Sequence, residues 1–475
     1  MSANIPPSDD LLRRFTDIVG ERHALSRPAD QDPYLREWRH LFHGRTPLVL
    51  RPGSVDEVSR ILALASESGT AIVPQSGNTG LVGGQVPDDS GTEIVVSVSR
   101  LDRIRDVDPQ GFTMTVEAGV ILERIQQAAA DVDRLFPLTL ASEGSCQIGG
   151  NISSNAGGTG VLAYGNTRDL VLGLEVVLPT GEIWNGLRRL RKDNTGYDLK
   201  HLFIGAEGTL GIVTAAVLKL VARPVASEVA VVAIASPEAA IALFDRVRKA
   251  AGSSVVAFEL MGRMGLEFVL AHAEGVREPF AETHPWYILV EIASGHGREE
   301  ARSLLEETLG AALEEDIAID AVVAESLDQA AGFWRLRHMM SEVQLYEGGS
   351  IKHDIAVPIA SIPAFIDEAT RAVTELIPGI RPVPFGHLGD GNLHFNFSQP
   401  EGANKEAYLA RWKEVNAAVH AVVVAHQGSI SAEHGIGRLK RDLVASVRDP
   451  LEIDMMKRIK GLFDPKGIMN PGRVL

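Results

Sequence analysis

Four stretches of this chain hold more glycine than ordinary turns need, and they limit the folds open to it. The first, PQSGNTGLVGGQVP (Pro74–Pro87), carries four glycines in fourteen residues. The others are GSCQIGGNISSNAGGTG (Gly144–Gly160) with the YGNTRD that follows, IGAEGTLGI (Ile204–Ile212), and Asn470-Pro-Gly near the C-terminus. Glycine admits left-handed backbone angles and lets another molecule touch main-chain amides. A concave run of N–H groups neutralises phosphate oxygens without cationic side chains. Tight turns explain any one of these loops; they do not explain all four at the ends of strand-like segments.

The simple nucleotide motifs are missing. No GxxxxGK[ST] occurs. Gly158-Thr-Gly160-Val-Leu-Ala163 matches GxGxxA, but polar NISSNAGG precedes it where a dinucleotide fingerprint requires a buried strand. That argues against a nicotinamide dehydrogenase.

Composition narrows the class further. With 475 residues, 45% of them hydrophobic, the chain can build two or three cores. Its net charge of −16, with no basic tract, suits neither nucleic acid nor an anionic membrane surface. The start, MSANIPPSDDLLRRF, lacks the apolar core of a signal peptide, and no apolar run approaches the roughly 18 residues of a membrane span. Cys146 is the sole cysteine, so an intrachain disulfide and a thiolate metal cluster are both excluded. A cytoplasmic protein is expected.

Residues 10–40 read as a helical lead-in. From about 47 an α/β pattern begins, with Leu48-Val-Leu as a short strand and Ser54-Val-Asp-Glu57 as a capping box opening a helix. Ala71-Ile-Val leads straight into the first glycine loop, and strands are expected at 93–98 and 112–117. The character changes near 223. A buried strand over Ser227–Ala235, a helix capped by Ser236-Pro237 and running to about 251, and strands near 254–260, 286–293 and 319–324 suggest a second, mixed domain. The tail ends in FDPKGIMNPGRVL.

Phe385-Gly-His387-Leu-Gly-Asp-Gly-Asn-Leu-His394-Phe-Asn396 has the form of a β-hairpin turning at Gly389-Asp-Gly391. Histidines seven apart across such a turn can meet at its base. Taken alone, the pair is more often a packed turn feature. Ser431-Ala-Glu433-His434-Gly-Ile-Gly437 adds a carboxylate beside another histidine, and two imidazoles with one carboxylate leave positions open on a divalent metal. Zinc, manganese and cobalt all suit such ligands. Arg337 and Ser341 stand one helical turn apart, and Lys352 is read as starting a strand. A solvated helix face and an edge lysine account for them equally well. A metal-dependent hydrolase would use the metal but not the glycine loops.

Together PQSGNTGLVGG, SCQIGGNISSNAGG, YGNTRD, IGAEGTLGI, FGHLGDGNLHFN, SAEHGIG and FDPKGIMNPGRVL resemble the FAD-linked oxidase and dehydrogenase family with the vanillyl-alcohol oxidase, or PCMH-type, flavin domain. The chain is most similar to its D-2-hydroxyglutarate and D-lactate dehydrogenase branch, from about residue 40 to the C-terminus. The resemblance implies an α+β fold with a two-subdomain FAD-binding domain at 45–224, after a helical segment at 1–44. A mixed, ferredoxin-like substrate-binding cap would span 225–425, and a C-terminal helical segment at 426–475 would return to the FAD domain. It implies FAD held non-covalently by Pro74, Gly77, Asn78, Thr79, Gly80, Gly83, Gly150, Asn151, Asn155, Gly157, Gly158, Gly165, Glu207, Gly208, Gly211, Ile212 and Asn470.

His387, His394 and Glu433 match the family's metal ligands, with zinc expected, and His434 matches its catalytic base. Arg337, Ser341 (threonine in relatives), Lys352 and Asn396 match substrate contacts. The implied reaction oxidises a D-2-hydroxy acid to the 2-oxo acid. The metal polarises the hydroxyl, His434 takes its proton and the C2 hydride passes to flavin N5. Two cations beyond the metal favour D-2-hydroxyglutarate, with D-lactate or glycolate as the alternative. The electron acceptor would be an electron-transfer flavoprotein or a quinone, and homodimers are common in the family. Ser76 departs from a glycine found in many relatives, and GTGVLAYG from an arginine-containing stretch. The first loop holds neither His nor Cys, which excludes covalent flavin attachment there, and Cys146 reads as a small packed residue.

Overall fold

In the computed structural model, which describes residues 6–475, the chain divides into two compact units. The first comprises the chain up to Gly158, Gly165–Arg223 and Glu433–Leu475; the second comprises Thr159–Tyr164 and Pro224–Ala432.

The first unit contains two main sheets. One holds β1 (Ala24–Leu25), β2 (Val49–Leu50), β3 (Ile72–Gln75) and β4 (Ile94–Ser97) in the order β1-β2-β4-β3. Both β2 and β3 run parallel to β4. Strands that run parallel need a crossover between them, and the helix Val55–Ser68 supplies the one from β2 to β3. The Ser54 hydroxyl caps it by accepting from the Glu57 amide, while the Glu57 carboxylate accepts from Gly53 rather than from Ser54, one residue off the expected box. Val58, Ile61, Leu62 and Ala65 bury against Leu50, Ile72, Ile94 and Val96.

The second sheet uses β5 (Ile104–Asp108), β6 (Thr113–Glu117), β8 (Val171–Val177), β9 (Ile183–Gly186) and β10 (Ile212–Lys219), all antiparallel, in the order β5-β6-β10-β8-β9. A small ribbon pairs β7 (Arg134–Leu135) with β11 (Val221–Ala222). The strand expected at 112–117 forms as β6, every residue of which is buried. The C-terminal segment runs along β3: the Ile72 amide donates to Ile468 and the Asn470 amide donates to Ile72. Of the expected helical lead-in, the helix Asp9–Val19 forms, followed by β1 and short turns.

The second unit is built on one long sheet. Its first four strands, β12 (Ala226–Ile234), β13 (Val255–Gly262), β14 (Trp286–Ser294) and β15 (Asp320–Val323), lie in the order β15-β12-β14-β13. That is the antiparallel 4-1-3-2 arrangement of the split βαβ motif. The helix Pro237–Ala251 connects β12 to β13, capped by Ser236 with Pro237 at its first position. The sheet continues through β18 (Arg381–His387) and β19 (Asn392–Ser398). Both β16 (Ser350–Ile351) and β17 (Asp354–Ala356) pair with β19. Val231, Met261, Leu289 and Phe385 on one face pack with Phe333, Leu336 and Met340, which belong to the helix Leu327–Met339 and the residue after it.

Candidate active site

The glycine loops of the first unit meet around one cleft. Twelve of the seventeen residues expected to hold the cofactor line it: Pro74, Gly77, Asn78, Thr79, Gly80, Gly150, Asn151, Glu207, Gly208, Gly211, Ile212 and Asn470. His434 lines the same cleft. Part of the glycine demand is internal. A Cβ on Gly77 would stand 2.5 Å from the Ser145 carbonyl, so the first two loops pack backbone to backbone. Cys146 is buried at this contact.

Gly83, Asn155, Gly157, Gly158 and Gly165 do not line the cleft. Four of them have other work. Gly83 takes a φ of +70° with the Phe42 ring against it, and Gly158 approaches the Thr139 carbonyl. Gly165 packs on the Asp169 carboxylate, and Asn155 ends the helix Ile148–Ser154 and accepts from the Arg168 amide. Sequence reasoning passed over Gln147, Ser153, Val98 and Val213, which also line the cleft. Val98 and Val213 read as ordinary strand residues, but Gln147 and Ser153 stood inside a quoted motif.

Four buried side-chain oxygens on the lining residues, Asn78 Oδ1, Gln147 Oε1, Asn151 Oδ1 and Asn470 Oδ1, have no hydrogen-bond partner among the described residues. A buried acceptor left unpaired is costly, so such oxygens call for a ligand that donates. The Asn470 amide fixes its own orientation by donating to the Gly84 and Glu207 carbonyls. A molecule bearing hydroxyls and ring N–H groups beside its phosphates, as FAD does, matches these acceptors.

Glu207 ties the cleft to the histidine loop. Its backbone has a φ of +50°, and its carboxylate accepts from the amides of Ile436 and Gly437 at 2.7 and 2.8 Å. Burial raises its pKa, and the two amides partly offset that.

In the second unit the hairpin forms as the sequence suggested. His394 pairs with Phe385 and His387 with Asn392, so the two histidines sit diagonally on one face with ring centroids 5.6 Å apart. Gly391 makes the turn with a φ of +86°. Asn396 lies on the same face, its Oδ1 accepting from the His353 amide at 3.0 Å. The Lys352 ammonium donates to the Ser341 carbonyl at 2.6 Å and contacts its hydroxyl at 3.3 Å. Two local expectations change. The helix carrying Arg337 stops at Met339, so Ser341 stands in the turn beyond it. Lys352 falls between β16 and β17 rather than starting a strand. In the second case the pairing of β16 and β17 with β19 sets the boundary.

Arg337 is buried, its Nε donating to Glu259 at 2.8 Å while its Nη2 has no hydrogen-bond partner among the described residues. Glu259 on β13 also meets His387 Nδ1 at 2.8 Å. Nothing in the sequence marked this glutamate, which reads as one polar residue within an apolar strand. Burial alone would raise its pKa, but His387 and Arg337 more than reverse this and hold it well below the usual carboxylate range.

Two family profiles cover most of the chain. One described as FAD binding domain matches residues 46–186, and one described as FAD linked oxidases, C-terminal domain, matches residues 223–474. The chain belongs to the FAD-linked oxidase family. It is 38% identical over 467 residues to a protein of Xanthomonas citri pv. viticola named D-2-hydroxyglutarate dehydrogenase, covering 98% of this chain and 97% of the relative. A mitochondrial Arabidopsis thaliana protein of the same name is 37% identical, over 97% of this chain and 80% of its own. A mitochondrial Schizosaccharomyces pombe protein provisionally named D-lactate dehydrogenase is 35% identical, over 98% and 90%.

Among solved structures, p-cresol methylhydroxylase superposes with a TM-score of 0.77 at 15% identity, over 98% of this chain and 96% of that one. The 4-ethylphenol oxidase of Gulosibacter chungangensis gives 0.73 at 17%, with the same two shares. At these identities the likeness shows the fold, the α+β flavin-oxidase architecture expected from the motifs. As a family member the chain is a FAD enzyme. Among the described residues, no helix is long and apolar enough to cross a membrane.

Proposed function

We propose that this FAD enzyme oxidises D-2-hydroxyglutarate to the 2-oxo acid. The observation that carries the reading is the cleft of the first unit, where His434 stands among the glycine loops and the unpaired acceptor oxygens suited to the coenzyme. When bound, FAD supplies an acceptor for the C2 hydride, and a divalent cation, zinc by preference, supplies a Lewis acid on His387, His394 and Glu433.

The chain's own groups do the rest. Neutral His434 takes the hydroxyl proton as general base. Arg337 and Lys352 hold substrate carboxylates, helped by Ser341 and Asn396. The unpartnered Nη2 of Arg337 supports that assignment, since a guanidinium already anchored through Nε presents its remaining fork to an anion. Two cationic side chains suit a dicarboxylate better than lactate. D-lactate or glycolate is the second reading, favoured by the relative named for D-lactate. Electrons would leave to an electron-transfer flavoprotein or a quinone, and a cytoplasmic homodimer is the setting that fits the reading.

Anaerobic titration with a panel of D- and L-2-hydroxy acids tests this reading. D-2-hydroxyglutarate should bleach the visible flavin band at the lowest concentration, the L-isomers should not, and prior chelation should suppress the bleaching. A flavin that D-lactate reduces and D-2-hydroxyglutarate does not would shift the assignment to the second reading. A flavin that no hydroxy acid reduces would end both.

A further inference from the structure

Glu259 stands at an unusual crossing. On β13 it is the direct cross-strand partner of His387 on β18. It is 1% exposed, and each carboxylate oxygen has a different partner: Oε1 faces His387 Nδ1 and Oε2 faces Arg337 Nε, both at 2.8 Å. Arg337 arrives from the helix Leu327–Met339, packed over the same face. One buried carboxylate thus touches a residue assigned to the metal and a residue assigned to the substrate.

Stability is a poor reason for such a cluster. Replacing a buried ion triad with apolar side chains of equal volume is often neutral or stabilising, and the surrounding face is already lined by Met261, Leu289, Leu336 and Phe385. The triad does, however, control two donor sets. An ionised carboxylate only accepts, so the proton of His387 is drawn to Nδ1 and the lone pair of the neutral ring is left on Nε2, the form that ligates a cation. The same carboxylate pins Arg337 through Nε and leaves Nη2, buried and without a partner, as a donor of fixed direction. Carboxylates behind metal-binding histidines fix the tautomer and raise ligand basicity.

We infer that Glu259 is a positioning residue that sets the tautomer of His387 for the metal and the orientation of Arg337 for the substrate carboxylate, coupling the two subsites through one side chain. This rests on the functional reading above, in which His387 is a metal ligand.

The test uses the full-length, FAD-loaded protein with Glu259→Gln and, as a control on the reading, His387→Ala. Zinc affinity is measured by competition with a chromophoric chelator at neutral pH, and steady-state kinetics are measured with D-2-hydroxyglutarate. Glu259→Gln should keep its flavin and its unfolding transition, bind zinc about 10–100-fold more weakly, and raise KM by a larger factor than it lowers kcat. A merely structural Glu259 would shift thermal unfolding and leave zinc affinity unchanged.

If Glu259→Gln misfolds, the Glu259→Met/Arg337→Met pair, which buries no unmatched charge, carries the zinc measurement with the same expected loss. Zinc affinity and KM both within twofold of the parent would overturn the inference while a zinc-deficient His387→Ala kept the metal reading alive. Unchanged zinc binding in His387→Ala would remove the metal reading, and the inference with it.

Discussion

At the scale of single residues, the site depends on where protons and lone pairs sit. His434, the proposed base, lines the cleft without belonging to any of the four glycine-rich loops, so His434→Ala should slow flavin reduction and spare the coenzyme. The expected result is an unchanged flavin spectrum with anaerobic reduction slowed by about 10²–10⁴-fold, the usual worth of a general base. Stopped-flow reduction measures it, and a normal rate would strip His434 of the role. Glu207 offers a different contrast. Its carboxylate accepts from two consecutive amides of the loop after His434, and glutamine has only one acceptor oxygen to offer them. Glu207→Gln should therefore slow flavin reduction and weaken FAD retention together, read from the rate and from flavin lost on dialysis. Retention and rate both equal to the parent's would show that the loop holds its place without this contact.

Among the elements, the five-stranded sheet of the first unit carries a charge cluster that acid should dissolve. Glu117 on β6 is 1% exposed and accepts from Arg103 and Arg105; Arg105 also reaches Glu175 on β8. Burial would raise the Glu117 pKa, but the arginine hydrogen bonds outweigh it and the net shift is downward from 4.5. A depressed carboxylate stabilises the fold fully above its unfolded value, and that contribution is lost as pH falls through the lowered folded value. Stability against urea should decline from about pH 4.5 downward, and Glu117→Gln should flatten that limb of the profile. An equally steep limb in the variant would place the acid sensitivity elsewhere.

The glycine loops make the complementary point about sterics. Gly83 has a positive φ and the Phe42 ring where a Cβ would go, at 2.4 Å. Gly83→Ala should cost about 1–3 kcal/mol by denaturant unfolding, from left-handed strain and overpacking, although this glycine does not line the cleft. A variant as stable as the parent would show that Phe42 moves aside freely.

For the whole molecule, the proposed function predicts that the FAD and metal requirements separate experimentally. Treatment with a strong chelator is expected to abolish turnover while leaving the yellow colour and the far-ultraviolet spectrum intact, and zinc should restore activity. Turnover that survives exhaustive chelation would confine the histidine hairpin to a non-metal role. The separation is expected because none of His387, His394 and Glu433 lines the cleft proposed for FAD.

Much of this was written in the local sequence. Turn chemistry, caps and strand patterns act over a few residues, so the hairpin at 385–396, the Ser236-Pro237 helix start and the glycine-loop positions could be read directly. So could the family, because its motifs are short runs of backbone-contacting residues in a fixed order. What the tertiary structure decided was which of those residues share a space. It assigned Gly83, Gly158 and Gly165 to the protein's own packing rather than to the cleft, ended the Arg337 helix before Ser341, and set Glu259 between His387 and Arg337. Those outcomes depend on strand register and on helix packing between segments as much as 128 positions apart, and no local pattern records a partner at that distance.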